Sequence, residues 1–261
     1  MKKKISMIIS FTLLIVYPMS SEATTAVDMW YPGGVDSFWI YNVPSLGQVI
    51  ATAKETEIDG GKYKVIQEDK PFIGSLVGVE PDPFLTFRED ESGLLRGYGA
   101  AANKAFGVGF KEEFVAAGHP EEGLNLKFSD DEWVILGGKD FVWTVMKVEV
   151  EAPVFGLKVR GSFEVQCEIL RQEVINTEAG EFETFVIEYL FITVIEGEVD
   201  KKRLCTMWLA PNVGLIQIEA FGEISTLVDY HLTPNIMPMQ GKAITSSVRS
   251  PTTWANLKRM R

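Results

Sequence analysis

Between Phe155 and Ile169 the side chains alternate: Phe155, Leu157, Val159, Phe163, Val165, Cys167 and Ile169 fall on one parity, and Lys158, Arg160, Ser162, Glu164, Gln166 and Glu168 on the other. Only Gly156 and Gly161 interrupt the two rows. A period of two over this length describes an extended strand with one face on a core and the other in water. At about 3.3 Å per residue such a strand runs near 50 Å, longer than an ordinary strand, so it must bend. Gly161 is the residue at which a bend is expected to cost least.

The same signal recurs in shorter pieces. Phe38–Val43 is aromatic and β-branched and reads as a first strand, preceded by Met29-Trp30-Tyr31-Pro32-Gly33-Gly34. Gln48–Ile58 and Lys62–Gln67 flank Asp59-Gly60-Gly61, a hairpin signal because glycine accepts positive φ. A second hairpin runs from Phe84–Phe87 to Leu94–Tyr98 across Asp90-Glu91-Ser92-Gly93, whose carboxylates read as a solvated turn. Residues 100–122 lose the alternation; one or two helical turns over Lys111–Ala117, stopped by Gly118-His119-Pro120, form an insertion or lid over the sheet. Phe182–Ile195 is apolar on both parities and is expected to be covered on both faces. Arg203–Leu209, Gly214–Ala220 and Glu223–Leu232 follow through turns too short for parallel crossovers. The fold class is mainly β: a curved antiparallel sheet of roughly eight to eleven strands, a half-barrel or open barrel meander, with a small helical insertion.

The first residues set the compartment. Lys2-Lys3-Lys4, the apolar run Ile5–Met19 and the small residues at Ser21 and Ala23 read as a signal peptide over residues 1–23. The chain is therefore expected outside the cytoplasm, in the periplasm or beyond the cell, with no membrane span once the leader is removed. Residues 24–233 form the β domain, and 234–261 a linker and tail. Of the formal charge of -11, residues 1–23 carry +2 and the tail from Lys242 carries +5, which leaves -18 on residues 24–241. That excess argues against nucleic acid as a partner and against purely electrostatic attachment to anionic lipid. Cys167 and Cys205 fall on strands separated by a third, about 10 Å apart and beyond disulfide reach, so both read as small apolar core residues.

No motif carries chemistry. His119 and His231 stand in unrelated contexts, His119 in a helix-stop loop and His231 on the solvent parity of the last strand. There is no nucleophile elbow, and Gly107-Val108-Gly109 lacks what a phosphate loop needs. The acidic pairs Glu112-Glu113, Glu121-Glu122 and Asp130-Asp131-Glu132 do not face one another as a glycosidase requires. The expectation is a protein that is not an enzyme and uses no cofactor or metal.

Glu178-Ala179-Gly180-Glu181-Phe182 resembles the P-A-G-T-F element of a TapB-like family of exported bacterial β proteins, some of whose members carry only a domain of unknown function. Trp208-Leu209-Ala210-Pro211-Asn212-Val213-Gly214-Leu215-Ile216 is similar to that family's W-Y-A-P-G-V-G-L-V, Leu227–Tyr230 to its closing strand, and Tyr31-Pro32 through Tyr41 to its opening P-L-x-x-G-x-x-W-x-Y. Glu178, Glu181, Leu209 and Asn212 depart from the pattern. The resemblance implies a twisted half-barrel similar in outline to lipoprotein-carrier folds, and no reaction. A curved sheet has a concave face that a helix, its own side chains or a ligand must fill. If a lipid or other apolar ligand fills it, Trp143, Phe155, Leu157, Phe163, Val165 and Trp208 are the candidate contacts. The alternative is a self-filled core whose surface meets another envelope protein. The end of the chain, Pro251–Arg261, resembles short T-W-G-x-I-K endings of envelope proteins, with Ala255 in place of the glycine.

Overall fold

A computed structural model of the protein describes residues 30–137 and 142–234. The leader at 1–23 and the basic tail from Lys242 lie outside the described residues. The chain runs through β1 (Phe38–Val43), β2 (Gly47–Ile58), β3 (Gly61–Glu68), β4 (Thr86–Glu89) and β5 (Leu95–Tyr98) to one helix, α1 (Ala100–Ala116). It continues through β6 (Asn125–Phe128), β7 (Glu132–Leu136), β8 (Val142–Val154), β9 (Leu157–Thr177) and β10 (Gly180–Ile195), then β11 (Glu198–Ala210), β12 (Gly214–Ala220) and β13 (Glu223–His231). All thirteen strands join one sheet in the order β6-β8-β9-β10-β11-β12-β13-β1-β2-β3-β4-β5-β7. Every pairing is antiparallel. The expected curved antiparallel sheet with a helical insertion is therefore present, with more strands than the eight to eleven expected. The strands that the sequence reading does not assign are β6, β7 and β8: the first two, four and five residues long, are too brief to show alternation, whereas β8 spans thirteen residues.

The sheet is not closed by backbone pairing, but side chains bridge its seam. β7 ends one edge, and the Trp143 indole of β8 donates to Val134 O at 3.1 Å while the Tyr189 hydroxyl of β10 donates to Ile135 O at 2.9 Å. These bonds satisfy carbonyls that an edge strand would otherwise leave unpaired.

Strand β9, 21 residues long, is the alternating segment, and it extends eight residues past Ile169. Its irregularity lies elsewhere than expected. Pairing with β8 runs unbroken through Gly161, opposite Val150, whereas the β10 ladder ends at Gly161, opposite Ile195, and slips at Leu170, which has no partner between Ile169 and Arg171. Gly161 serves close approach instead: a Cβ there would lie 2.6 Å from Val194 O. The two cysteines sit as expected, since Tyr189 of β10 pairs with Cys167 on one side and Cys205 on the other, and both thiols are free and buried.

The helix is the larger departure. It begins at Ala100, eleven residues before the expected turns, and spans 17 residues. Gly107 and Gly109 weaken its propensity. The compensating signal is Phe106, Phe110 and Phe114 at a spacing of four, which stack along one stripe and press on Phe163 of β9 and Phe128 of β6. Its first turn is fixed by Asn103, buried at 4% exposure, which accepts from the Trp133 indole at 2.9 Å and donates to Asp130 O at 2.8 Å.

Half of the interior is closed by the segment before β1. Trp30, Tyr31, Trp39 and Tyr41 are fully buried; Tyr31 meets Trp30 and Trp39 edge-on, the latter with ring centroids 4.7 Å apart, and Tyr41 lies tilted against Phe72. Their polar ends reach backbone carbonyls: Trp30 to Phe84, Trp39 to Val213 and Tyr41 to Leu215. Burying each aromatic contributes on the order of 2–3 kcal/mol; the paired polar ends leave that gain intact for Trp30, Trp39 and Tyr41, while the buried Tyr31 hydroxyl has no hydrogen-bond partner among the described residues. At the other end the chain stays with the body through Thr233, whose carbonyl accepts from Gly34 N at 2.9 Å.

Candidate functional site

The other half of the interior is not closed. On the concave face of β8–β11 lies a cavity of about 410 Å³. Its floor is two cross-strand pairs offset by two residues: Met146 of β8 opposite Val165 of β9, and Tyr189 of β10 opposite Cys205 of β11. One wall is α1, which presents Ala102, Ala105 and Phe106. Alanines at this position leave unfilled the volume that larger side chains would occupy. The second wall is the connection from β3 to β4, which lays Leu76, Val77 and Val79 across the face, and Phe221 stands at the margin.

That connection has no hydrophobic period, and two carboxyls shape it. Glu68 accepts from the backbone N–H groups of Phe72, Ile73 and Gly74 at 2.8, 2.9 and 3.2 Å. Asp82 accepts from Phe84 N at 2.7 Å and sets Phe84 edge-on against Tyr189 and Trp133 at the cavity's inner end. Burial pushes the Asp82 carboxyl up to about 7, against the pull of the Phe84 N–H and with the neighbouring charges of Glu68 and Glu80 adding to the rise. Its second oxygen has no hydrogen-bond partner among the described residues.

No acid, base or imidazole lines the cavity. The Tyr189 hydroxyl is committed to Ile135 O and the Trp133 indole to Asn103. Burial raises the Cys205 thiol to about 12, which keeps it neutral. Such a surface offers dispersion contact and release of water, and no polarising group. A larger hollow of about 940 Å³ beside β2, β3 and the β3–β4 connection is rimmed by Lys54, Glu55, Glu68 and Glu80. It is the more polar of the two, and Glu68 there is occupied by backbone.

Of the six candidate contacts, Val165 lines the cavity. Phe163 lies on the same strand and parity, covered by Phe106 and Phe110 of the helix. Trp143 spans the seam to β7 and packs against Gly137. Trp208 falls on the opposite face from Cys205, where its indole donates to Glu173. Phe155 and Leu157 are at the β8–β9 turn, 92% and 72% exposed. Within the alternating row Val165 and Cys167 are buried, and the cover ends before Phe155 and Leu157. The residues of the β3–β4 connection carried no sequence signal as contacts, whereas Phe106 was readable from its spacing with Phe110 and Phe114.

No family model matches the chain and no curated protein does, so the resemblance to the TapB-like family stands on the quoted motifs alone. Two solved structures are similar. One is a candidate exported protein with a YmcC-like fold from Bacteroides fragilis, 14% identical, covering 78% of this chain and 99% of its own, with a TM-score of 0.34. The other is a candidate lipoprotein from Parabacteroides distasonis, 12% identical, covering 78% and 98%, with a TM-score of 0.33. Likeness at these TM-scores carries no argument about function, which rests here on the site's own geometry.

Proposed function

We propose that this is an exported, non-catalytic binding protein whose concave face holds an apolar molecule, an acyl chain or another elongated hydrocarbon. The supporting observation is the cavity of about 410 Å³ with apolar walls and internally paired polar groups. Its size falls at the lower end of small-molecule sites, which run from roughly 300 to 1,000 Å³. The leader-like start of the chain supports export, and a wall without carboxylate, amine or imidazole, in which burial keeps the Tyr189 hydroxyl and the Cys205 thiol neutral, supports binding without catalysis. The alternative, an envelope module with a self-filled core, is favoured by the closed aromatic half of the interior.

Displacement of a fluorescent fatty acid, with native mass spectrometry of the purified protein, separates the two. Ala105→Trp adds a ring from the helix side without touching the sheet. It is expected to weaken binding about tenfold or more, at least about 1.4 kcal/mol, with little change in melting temperature. A native protein that carries no bound species and displaces no probe is a self-filled core.

A further inference from the structure

We propose that the β8–β9 hairpin is a membrane-docking finger whose tip, Phe155 and Leu157, enters a lipid bilayer, independently of what the cavity holds. Phe155 has φ +49° and Gly156 φ +78° in a two-residue turn. This left-handed pair is the geometry that Asn, Asp or Gly favours and that a bulky side chain resists. The protein meets the same requirement with Asp59-Gly60 between β2 and β3, so the phenylalanine is not dictated by the turn. Nor is it retained for packing: Phe155 is 92% exposed, and its one ring contact is an edge approach to His119 at 5.6 Å. A strained, exposed aromatic points to use at the surface.

The finger extends past its neighbours in the sheet, with Ala152 at its base still buried and with Pro153 and Phe155 beside Gly123 and His119 of the loop after α1. On one side β6 pairs with β8 only as far as Glu151, and on the other β10 pairs with β9 only as far as Gly161. Residues 152–159 continue beyond both neighbours as two strands paired only with each other. From Ala152 to Arg160 the sequence contains two cations, Lys158 and Arg160, and no acid, in a chain of formal charge -11. Both cations lie just behind the apolar tip and share one carboxylate, Glu151. An apolar point followed by cations matches the order of acyl region and phosphate layer met on entering a bilayer. Area favours lipid over a protein partner: a specific protein interface buries about 800 Å² per side, more than two side chains on a narrow turn present, whereas a bilayer requires no complementary surface. The acidity of the whole chain confines contact to this point.

Flotation with vesicles tests the finger. Purified full chain is mixed with vesicles of phosphatidylethanolamine and phosphatidylglycerol and compared with the Phe155→Asn/Leu157→Thr double variant. Asn-Gly suits the turn, so the variant is expected to melt no lower than the native protein while its vesicle-bound fraction falls about tenfold or more. Replacing Lys158 and Arg160 with Gln should weaken binding to these vesicles more than to phosphatidylcholine vesicles. An independent measurement places an environment-sensitive fluorophore on Phe155→Cys, the native thiols being buried. Its emission should shift to the blue with vesicles, while the same label at Lys62→Cys, on the β2–β3 hairpin, should not shift. Equal flotation of variant and native chains, or no shift at position 155, overturns the proposal. Crosslinking of the tip to a protein in place of lipid likewise overturns it.

Discussion

Asp82 illustrates what a single residue withholds from its sequence. Pro81-Asp82-Pro83 reads as a loop, yet the side chain is fully buried. One oxygen is bonded to Phe84 N and the other lacks a hydrogen-bond partner among the described residues. Its carboxyl sits at about 7 in the folded protein against 3.8 ordinarily, because burial disfavours the charged form. The folded state therefore binds the proton more tightly than the unfolded chain. The stability this provides is complete below about pH 4 and is lost as pH rises through 7, a difference on the order of 4 kcal/mol. Glu68, also raised by burial, acts in the same direction. Asp82→Asn keeps an oxygen for the Phe84 N–H and removes the ionisation. Urea midpoints should show the variant more stable than the native protein at pH 8, with the difference narrowing through pH 5 and closing near pH 4. A variant less stable at pH 8 would show that the ionised carboxylate has a compensating partner.

At the scale of elements, legibility followed periodicity. β9 and the β2–β3 hairpin were readable because alternation and Asp59-Gly60 are local signals, and the carboxyl-terminal meander because its turns are short. The extent of α1 was not, since two glycines dilute a pattern carried by three phenylalanines, and no local residue announces the bulge at Leu170. The attachment of α1 is equally non-local. Asn103 links the first helical turn to Trp133 and Asp130, about thirty positions away. Asn103→Ala leaves a buried indole N–H and a carbonyl without their partner and is expected to lower stability by about 2–3 kcal/mol in chemical denaturation. Because α1 walls the cavity, the variant should also bind the fluorescent fatty acid more weakly. Unchanged stability would mean that the phenylalanine stripe alone holds the helix.

Across the whole molecule, one continuous sheet encloses two unlike interiors. Side-chain parity told which rows face inward, but not which segment would cover them, because cover comes from the aperiodic β3–β4 connection and from the stretch before β1. Where Trp30 and Tyr31 cover Trp39 and Tyr41 of β1, all four side chains are fully buried. Where α1 and the β3–β4 connection cover it, about 410 Å³ remain. Stability and binding should then be separable by position. Leu215 belongs to the closed half: it is fully buried, and its carbonyl accepts from the Tyr41 hydroxyl at 3.1 Å. Leu215→Ala removes side-chain volume where neighbours cannot collapse, at an expected cost of about 2–5 kcal/mol, while leaving the cavity walls in place. It should lower the melting temperature markedly and leave fatty-acid affinity, measured below the transition, near the native value. Ala105→Trp should do the reverse, weakening binding with little change in melting. If both substitutions change both quantities together, the two halves form one cooperative core, and the cavity is a packing defect of that core rather than a site.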